Sequence, residues 1–406
     1  GASGLSADGA NQLEAAEPLF ERGLAIARDL RFVSLEADML AQLGWTALAR
    51  RDRSKSLTHF EEAKALATRL NSSPMLLFAH AGIGWSHFWE RRYDQALPAF
   101  RQALGLIEDV RSELEDPGLR SGFLEDKQGI YHGGVWSALL LGKPDEAFTL
   151  AERGRSRAFL DLLGNQTILS KGKTRALVEE EVQLRARLAE ARAVAQDVTE
   201  TGERAAAQKQ VEAAQRAYRA FLDRVRLESR EQASLMTVEP VTLQEVQQLL
   251  PPDTTLVEYL VTERESLAWV IDRDRVQVVR LPIRRADLVA EVREFIKSIE
   301  DRALVPQVQA RAEALHARLF AGVRSHIRGD RVVLVPHDVL HYLPFGALRN
   351  PAGRWLVEDY TLATLPSASV LKYLQGKGQG AASAVLAVGN PDLGPALNLR
   401  YAEREA

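Results

Sequence analysis

The sequence predicts an α-helical repeat region, then a charged helical hairpin, then an incomplete α/β module, and three observations carry this fold class. A pattern of apolar and small residues returns at a constant offset in the first part of the chain. A proline-free stretch rich in Ala, Glu, Arg and Gln occupies the middle. After Pro240, short Val-rich and Leu-rich segments mix with helical ones. We therefore divide the 406 residues into domains 1–170, 171–235 and 236–406.

The repeat unit in the first domain is a helical hairpin. The segment LGWTALARRDRSKSLTHFEEAKALA, from Leu43, aligns with IGWSHFWERRYDQALPAFRQALGLI, from Ile83. The equivalent pairs are Gly44 and Gly84, Trp45 and Trp85, Phe60 and Phe100, and Ala63 and Ala103. A third copy aligns Trp136 with Trp85, and a partial copy starts at Ala16. Within each copy, apolar residues recur at helical spacing on both sides of a short polar break, which predicts two helices per unit.

The order of these residues resembles the tetratricopeptide repeat (TPR), whose usual length is about 34 residues, so these units are longer variants. Such solenoids present a concave surface, which implies a protein or peptide partner in the TPR groove. We assign the repeat aromatic residues to the core between units rather than to ligand contacts, because large aromatic side chains are mostly buried.

The middle domain, 171–235, is interpreted as an antiparallel helical hairpin interrupted at Thr201-Gly202. Its apolar residues fall mostly at alternating steps of four and three, as in a coiled-coil seam. They are Leu177, Leu184, Leu188, Ala191, Ala195 and Val198, and then Val211, Ala214, Tyr218, Phe221 and Val225. Acidic and basic residues alternate, including Glu179-Glu180-Glu181, which indicates a solvated face. The preceding string SKGKT at 170–174 is not a phosphate-binding loop, because Thr167 stands where that motif needs Gly.

The third domain combines strands and helices. The segments TTLVEYLV, SLAWVI and RVQVVRL are separated by charged turns and predict an antiparallel meander. They begin at Thr254, Ser266 and Arg275. Helices are predicted over 286–301 and 308–323, followed by buried strands in RVVLVP, YTLATLPS and AVLAVGNP. These last three segments begin at Arg331, Tyr360 and Ala384.

The string VPHDVLHYLPFGALRNPAGRWLVEDYTLATLPSASVLKYL, followed by LAVGNPDLG and LRYAEREA, resembles the first half of a CHAT domain. This family is caspase-like and related to caspases and separase. The matching positions are Leu340, Leu343-Pro344-Phe345, Leu348, Leu365-Pro366-Ser367, Asn390-Pro391-Asp392, Glu403 and Glu405. The segment ERGRSRAFLDLL, from Glu152, resembles the helix that joins TPRs to this domain. The whole chain therefore resembles a TPR-CHAT protein.

The resemblance implies a cysteine peptidase, in which a thiolate attacks a peptide carbonyl and a His moves the proton. In that family the His and Cys motifs follow a segment like the one at 399–406, and this sequence has 0 Cys. We therefore predict no catalytic, cofactor-binding or metal-binding residue on this chain, and no catalysis by it alone.

We expect the His/Cys dyad after Ala406, and we expect the other half of the domain as a partner, on the same gene or on a cleaved second chain. The predicted strand from Ala384 would otherwise carry an unpaired edge. The alternative function is a TPR interaction scaffold whose CHAT module is degenerate and inactive.

The histidines are interpreted as structural. His337 and His341 have a spacing known from zinc sites, but Pro336 and Pro344 bracket them and favour a turn over a helix. The others are interpreted as packing or surface residues on helices. They are His59, His80, His87, His132, His316 and His326.

Composition bounds the remaining classes. The formal charge of −3, with 52 basic against 55 acidic residues, favours neither nucleic acid nor an anionic membrane as partner. No run approaches the roughly 18 apolar residues of a membrane span, so we expect a cytoplasmic protein. The lack of Cys excludes disulfides and Cys-ligated metals on these residues.

Overall fold

The computed structural model describes residues 7–113, 127–164, 240–301 and 304–374, together with single helical positions between 180 and 224. The string at 170–174, the predicted strand from Ala384 and the family positions from Asn390 to Glu405 lie outside these residues.

The first domain is a stack of antiparallel helices, in which each helix packs against the next. The helices are α1 (Ala7–Asp29), α2 (Val33–Ala49), α3 (Arg53–Arg69), α4 (Ser73–Trp89), α5 (Tyr93–Glu113), α6 (Gln128–Leu140) and α7 (Pro144–Gly164). The described helices include none that combines the length and the apolarity needed to cross a bilayer.

The period of the repeat has a simple geometric origin. The helices α2, α3 and α4 are each 17 residues long and are separated by turns of three residues. Each turn contains a left-handed residue, and these residues recur at equal spacing at Arg31, Arg51, Asn71 and Arg91. After α2, for example, the amide of Asp52 donates to the carbonyl of Ala47 at 2.9 Å, which closes a Schellman turn. Two such helix-turn units make one repeat.

The glycines and aromatic residues of the repeat pack on one another. The ring of Phe60 lies between Gly44 and Gly82, where a methyl group on Gly82 would overlap the carbons of the ring. The ring of Trp45 meets Phe60 edge-on at 5.0 Å between centroids. The same arrangement recurs in the next repeat around Phe100, which is fully buried. The predicted repeat and its aromatic core are confirmed.

The described positions between 180 and 224 are helical. Leu188, Val211 and Phe221 are buried, and Arg224 forms an ion pair with Glu180 at 2.5 Å. An antiparallel hairpin requires such a contact between its two arms. The limits of this domain, 171–235, stay a prediction.

The third domain is built on a mixed five-stranded sheet with the order β3-β2-β1-β4-β5. The strands are β1 (Thr254–Val261), β2 (Ser266–Ile271), β3 (Val276–Leu281), β4 (Arg331–Val335) and β5 (Thr361–Thr364). The first three form the predicted antiparallel meander, whereas β4 runs parallel to both β1 and β5. Helices surround the sheet. They are α8 (Leu243–Leu249), α9 (Arg285–Glu300), α10 (Val305–Leu319), α11 (Ala321–Arg324), α12 (Leu356–Asp359) and α13 (Leu371–Leu374).

One strand differs from the prediction. The segment from Tyr360 was expected to form a buried strand, but the side chains of β5 are largely exposed. Among the described residues, β5 has a strand neighbour on one side only, which is β4. A strand at a sheet edge has one solvated side, and this explains the exposure.

The sheet is covered on both faces. One face packs against α9 and α10, and Tyr259 and Phe295 are buried there. The other face packs against the repeats, since Leu260 and Trp269 of the sheet belong to the same hydrophobic core as Phe148 of α7. All eight residues of β1 are buried, as expected for a central strand covered on two sides. The repeats therefore cover the second face of the sheet.

Candidate functional site

Helix α7 carries two charged residues into the contact between the repeats and the sheet. Glu152 and Arg155 stand three positions apart, which puts them on one face of the helix. Both are buried, and Arg155 lies 3.3 Å from Glu152 in an ion pair. Nearby, Phe148 packs edge-on against Trp269 at 6.0 Å between ring centroids. The apolar contact holds the helix on the sheet, and the charged pair faces the loops beyond the strands.

Glu152 binds the loop that follows β5. Its Oε2 accepts hydrogen bonds from the hydroxyl of Ser367 at 2.8 Å and from the hydroxyl and amide of Ser369 at 2.6 and 2.9 Å. Its Oε1 accepts from the amide of Ala368 at 3.4 Å. These residues begin a single 3-10 turn, Ala368–Val370. A carboxylate at such a start is favourable because the amides there have no partner within the turn.

Arg155 binds the carboxyl ends of two neighbouring strands. One guanidinium nitrogen, Nη2, donates to the carbonyl of Tyr259 in β1 at 2.5 Å, and Nη1 donates to the carbonyl of Pro336, just after β4. The same Nη2 lies 3.4 Å from Oε1 of Glu258. The parallel strands β1 and β4 end at the same edge of the sheet, which is why one side chain reaches both.

Glu258 is fully buried beside Glu152 and Arg155. Burial, together with the neighbouring charge of Glu152, raises the pKa of Glu258 well above its usual range, and Arg155 offsets this only in part. Two carboxyl groups here face one guanidinium, so charge balance favours retention of one proton. We assign that proton to Glu258.

His337 follows Pro336 at the same edge. Its Nδ1 accepts a hydrogen bond from the amide of Val261 at 3.2 Å, which leaves the ring proton on Nε2. Burial and the nearby Arg155 hold the pKa of His337 well below its usual range. His337 is therefore neutral. We name Glu152, Arg155, Glu258 and His337 the junction cluster.

His132 of α6 extends this cluster from the repeat side. Its ring centroid lies 6.1 Å from that of His337, and its Nε2 is buried without a hydrogen-bond partner among the described residues. Burial lowers the pKa of His132 to about 4. No sequence pattern connects His132 with His337, because one belongs to the repeats and the other to the α/β module.

The predicted turn around His337 and His341 is confirmed. Asp338–Tyr342 forms a 3-10 turn rather than an α-helix, and Asp338 is left-handed with φ 54°. The carboxylate of Asp338 holds Arg285 of α9 through bonds of 2.6 and 3.1 Å. His341 is exposed. The two histidines thus do not share a helical face.

Most of the family-like positions that the structure describes have packing or capping roles, whereas Pro344 is exposed. Leu340, Leu343, Phe345 and Leu348 are buried in the core beneath the sheet. Ser367 is the residue whose hydroxyl binds Glu152. The helix resembling a TPR-to-domain connector does contact the α/β module, and its Glu152 is the contact that sequence reasoning missed.

A second feature lies where the repeats face the meander. A groove of about 890 Å³ is lined by the ends of the helices α3 to α6, the turn after α4, the β1–β2 turn and Arg280 of β3. We name it the junction groove. Trp85 and Trp89 stack at 6.1 Å in its wall, and the guanidinium of Arg264 lies 4.2 Å from the centre of the Trp89 ring. Trp136 donates to the hydroxyl of Thr262 at 3.4 Å and closes the far end.

A comparison with protein families identifies one part of the chain. Residues 309–406 match the family model of the CHAT domain. The match starts within α10 and includes β4, β5 and the Ser367–Ser369 loop that Glu152 binds. The repeats and the meander precede it. The search of curated proteins found no match to the chain.

Proposed function

We propose that this chain is the regulatory part of a caspase-like cysteine peptidase. The premise is that the chain carries a CHAT domain, and so a module of the caspase-like fold family. In this proposal the repeats are TPRs that bind a partner protein, and the His/Cys dyad lies on residues after Ala406. The 406 residues contain no Cys and thus supply no thiol nucleophile themselves.

The observation that carries the proposal is the position of α7 at the carboxyl edge of the parallel strands. Arg155 binds the backbone at the ends of β1 and β4, and Glu152 binds the loop after β5. Open α/β sheets place their ligand and catalytic sites at this edge. A helix of the repeat domain therefore touches the edge where a peptidase site is expected.

The shared core supports a regulatory role for the repeats. Because Phe148 of α7 packs on Trp269, a partner that shifts the last repeat also shifts the sheet contact. Packed cores respond to such displacements by discrete rearrangement rather than by gradual deformation. Partner binding would then change the loops held by Glu152 and Arg155.

The proposal is tested with the complete product of the gene. A peptide electrophile that reacts with catalytic thiolates is expected to label one Cys located after residue 406, and replacing that Cys by Ala should abolish both labelling and peptide hydrolysis. A gene product with no Cys beyond residue 406, or with no labelled thiol, would contradict the peptidase proposal and favour the inactive scaffold.

The regulatory part is tested separately in the same full-length protein. Glu152→Gln is expected to change basal hydrolysis and to reduce the response to the partner, because it removes the charge that binds the Ser367–Ser369 loop. Glu146→Gln is the matched control, since Glu146 lies on the same helix but forms an exposed ion pair with Arg101. Equal partner responses in both variants would contradict the regulatory role of α7.

A further inference from the structure

The junction groove is positively charged although the chain as a whole is acidic. Four arginines and two glutamates line it, whereas the formal charge of the chain is −3. Arg280 is neutralised by Glu265 through two bonds of 2.9 and 2.5 Å. Arg264 lies over the Trp89 ring and forms no ion pair with a carboxylate of the described residues. Since Glu263 offsets the charge of Arg264, the excess positive charge of the groove lies on the repeat side, at Arg53 and Arg91.

Two of these arginines have donors without a described acceptor. The Nε of Arg53, at the start of α3, is buried without a hydrogen-bond acceptor among the described residues. Arg91, in the turn after α4, has an exposed side chain with no ion pair to a described carboxylate. A buried donor without an acceptor is uncommon in proteins and points to a ligand that supplies one.

The groove also offers apolar surface. The side chain of Leu140 is 43% exposed in its wall, next to Trp136. Aromatic rings combined with arginines are typical of the central contacts in protein interfaces.

We propose that the junction groove binds an acidic peptide segment of a partner protein, with carboxylates on Arg53 and Arg91 and an apolar side chain against Trp136 and Leu140. This inference deepens the partner-binding part of the proposed function, on which it rests, and names the class of partner. It does not depend on the peptidase activity, because binding is measured directly.

Single-stranded RNA is the other ligand that arginines and aromatic rings can hold. The groove fits it less well. The Trp89 ring is already in contact with Trp85 and Arg264, which leaves less of its face for a base.

Fluorescence anisotropy with the chain tests the proposal. The probes are the labelled peptide Glu-Asp-Glu-Phe-Asp-Glu, the same peptide with Lys at every acidic position, and hexauridylate RNA. We expect the acidic peptide to bind at least about tenfold more tightly than either other probe, and added salt to weaken it.

Variants locate the binding. The double change Arg53→Gln and Arg91→Gln should weaken binding of the acidic peptide about tenfold or more, since charged hydrogen bonds are lost. Arg51→Gln is the matched control, because Arg51 is also left-handed, occupies the equivalent position in the repeat before that of Arg91, and lies outside the groove. It should leave the affinity unchanged.

Three results would overturn the proposal. They are no binding of the acidic peptide at about 1 mM, an equal loss of affinity in the Arg51→Gln control, and tighter binding of RNA than of peptide. A failure of peptide binding together with a labelled catalytic Cys would reject this inference and leave the peptidase proposal standing. Binding of the acidic peptide together with the absence of a labelled Cys would support this inference and reject the peptidase proposal.

Discussion

The carboxylate of Glu152 accepts a hydrogen bond of 2.6 Å from the hydroxyl of Ser369, which lies 217 residues away in the sequence. Together with its bonds to Ser367 and Ala368, this makes Glu152 the polar attachment of the repeats to the loop after β5.

Glu152→Gln should lower the free energy of unfolding by about 3 kcal/mol, because hydrogen bonds to a charged group are each worth about 1.5–3 kcal/mol. The control Glu146→Gln, at an exposed ion pair on the same helix, should cost less than about 1 kcal/mol. Urea unfolding followed by tryptophan fluorescence measures both. If both variants lose the same free energy of unfolding, the buried hydrogen bonds of Glu152 contribute no more to stability than the exposed ion pair of Glu146.

Glu258 should make the protein less stable as pH rises. The native state raises the pKa of Glu258 above its unfolded value, so the folded chain keeps a proton that the unfolded chain has released. Its contribution is full below the unfolded pKa and is lost as pH rises toward the folded pKa, by up to about 1.4 kcal/mol per pH unit. In the Glu258→Gln variant, this loss of stability with rising pH should be absent between about pH 5 and 8. Parallel stability curves for the two proteins would contradict the assignment.

His132 should make the folded protein less stable at acidic pH. Its pKa falls from 6.5 to about 4 on folding, because burial disfavours the charged ring. The unfolded chain therefore gains a proton first, and stability falls as pH drops from 6.5 toward about 4. His132→Gln should flatten this decline. Titration of the His132 ring by NMR gives a direct check, and a midpoint near 6.5 would contradict the effect of burial.

The glycines of the repeat should respond in opposite directions to Ala. Gly82→Ala drives a methyl group into the Phe60 ring and should cost about 2 kcal/mol through overpacking. Gly105 of α5 has no atom within 4 Å of the same position. Gly105→Ala should therefore stabilise the helix by about 0.5–1 kcal/mol. Chemical unfolding of the two variants decides the matter, and a stabilising Gly82→Ala would refute the close packing.

Sequence reasoning succeeded where local patterns decide the structure. The strands β1 and β2 begin and end where predicted, because charged turns at 263–265 and 272–274 interrupt apolar runs. The repeats were predictable because Gly44 and Phe60 recur together as Gly84 and Phe100.

The same reasoning failed where the decisive contact is distant in sequence. The burial of β5 was overestimated, since a strand's position in a sheet depends on pairing that its own residues do not encode. Glu152 stands 215 residues from Ser367, and no period or motif links them. The pairing of His132 with His337 depends in the same way on how the repeats pack on the sheet.

The equal spacing of the left-handed turns makes the helical array modular. The small core of Leu24, Leu40 and Leu43 near α1 and α2 includes no residue of the sheet, whereas the core at α7 does. Whole repeats can therefore be added or removed at the α1 side without disturbing the junction cluster. The length of the array is thus adjustable, while its anchorage on the sheet is fixed.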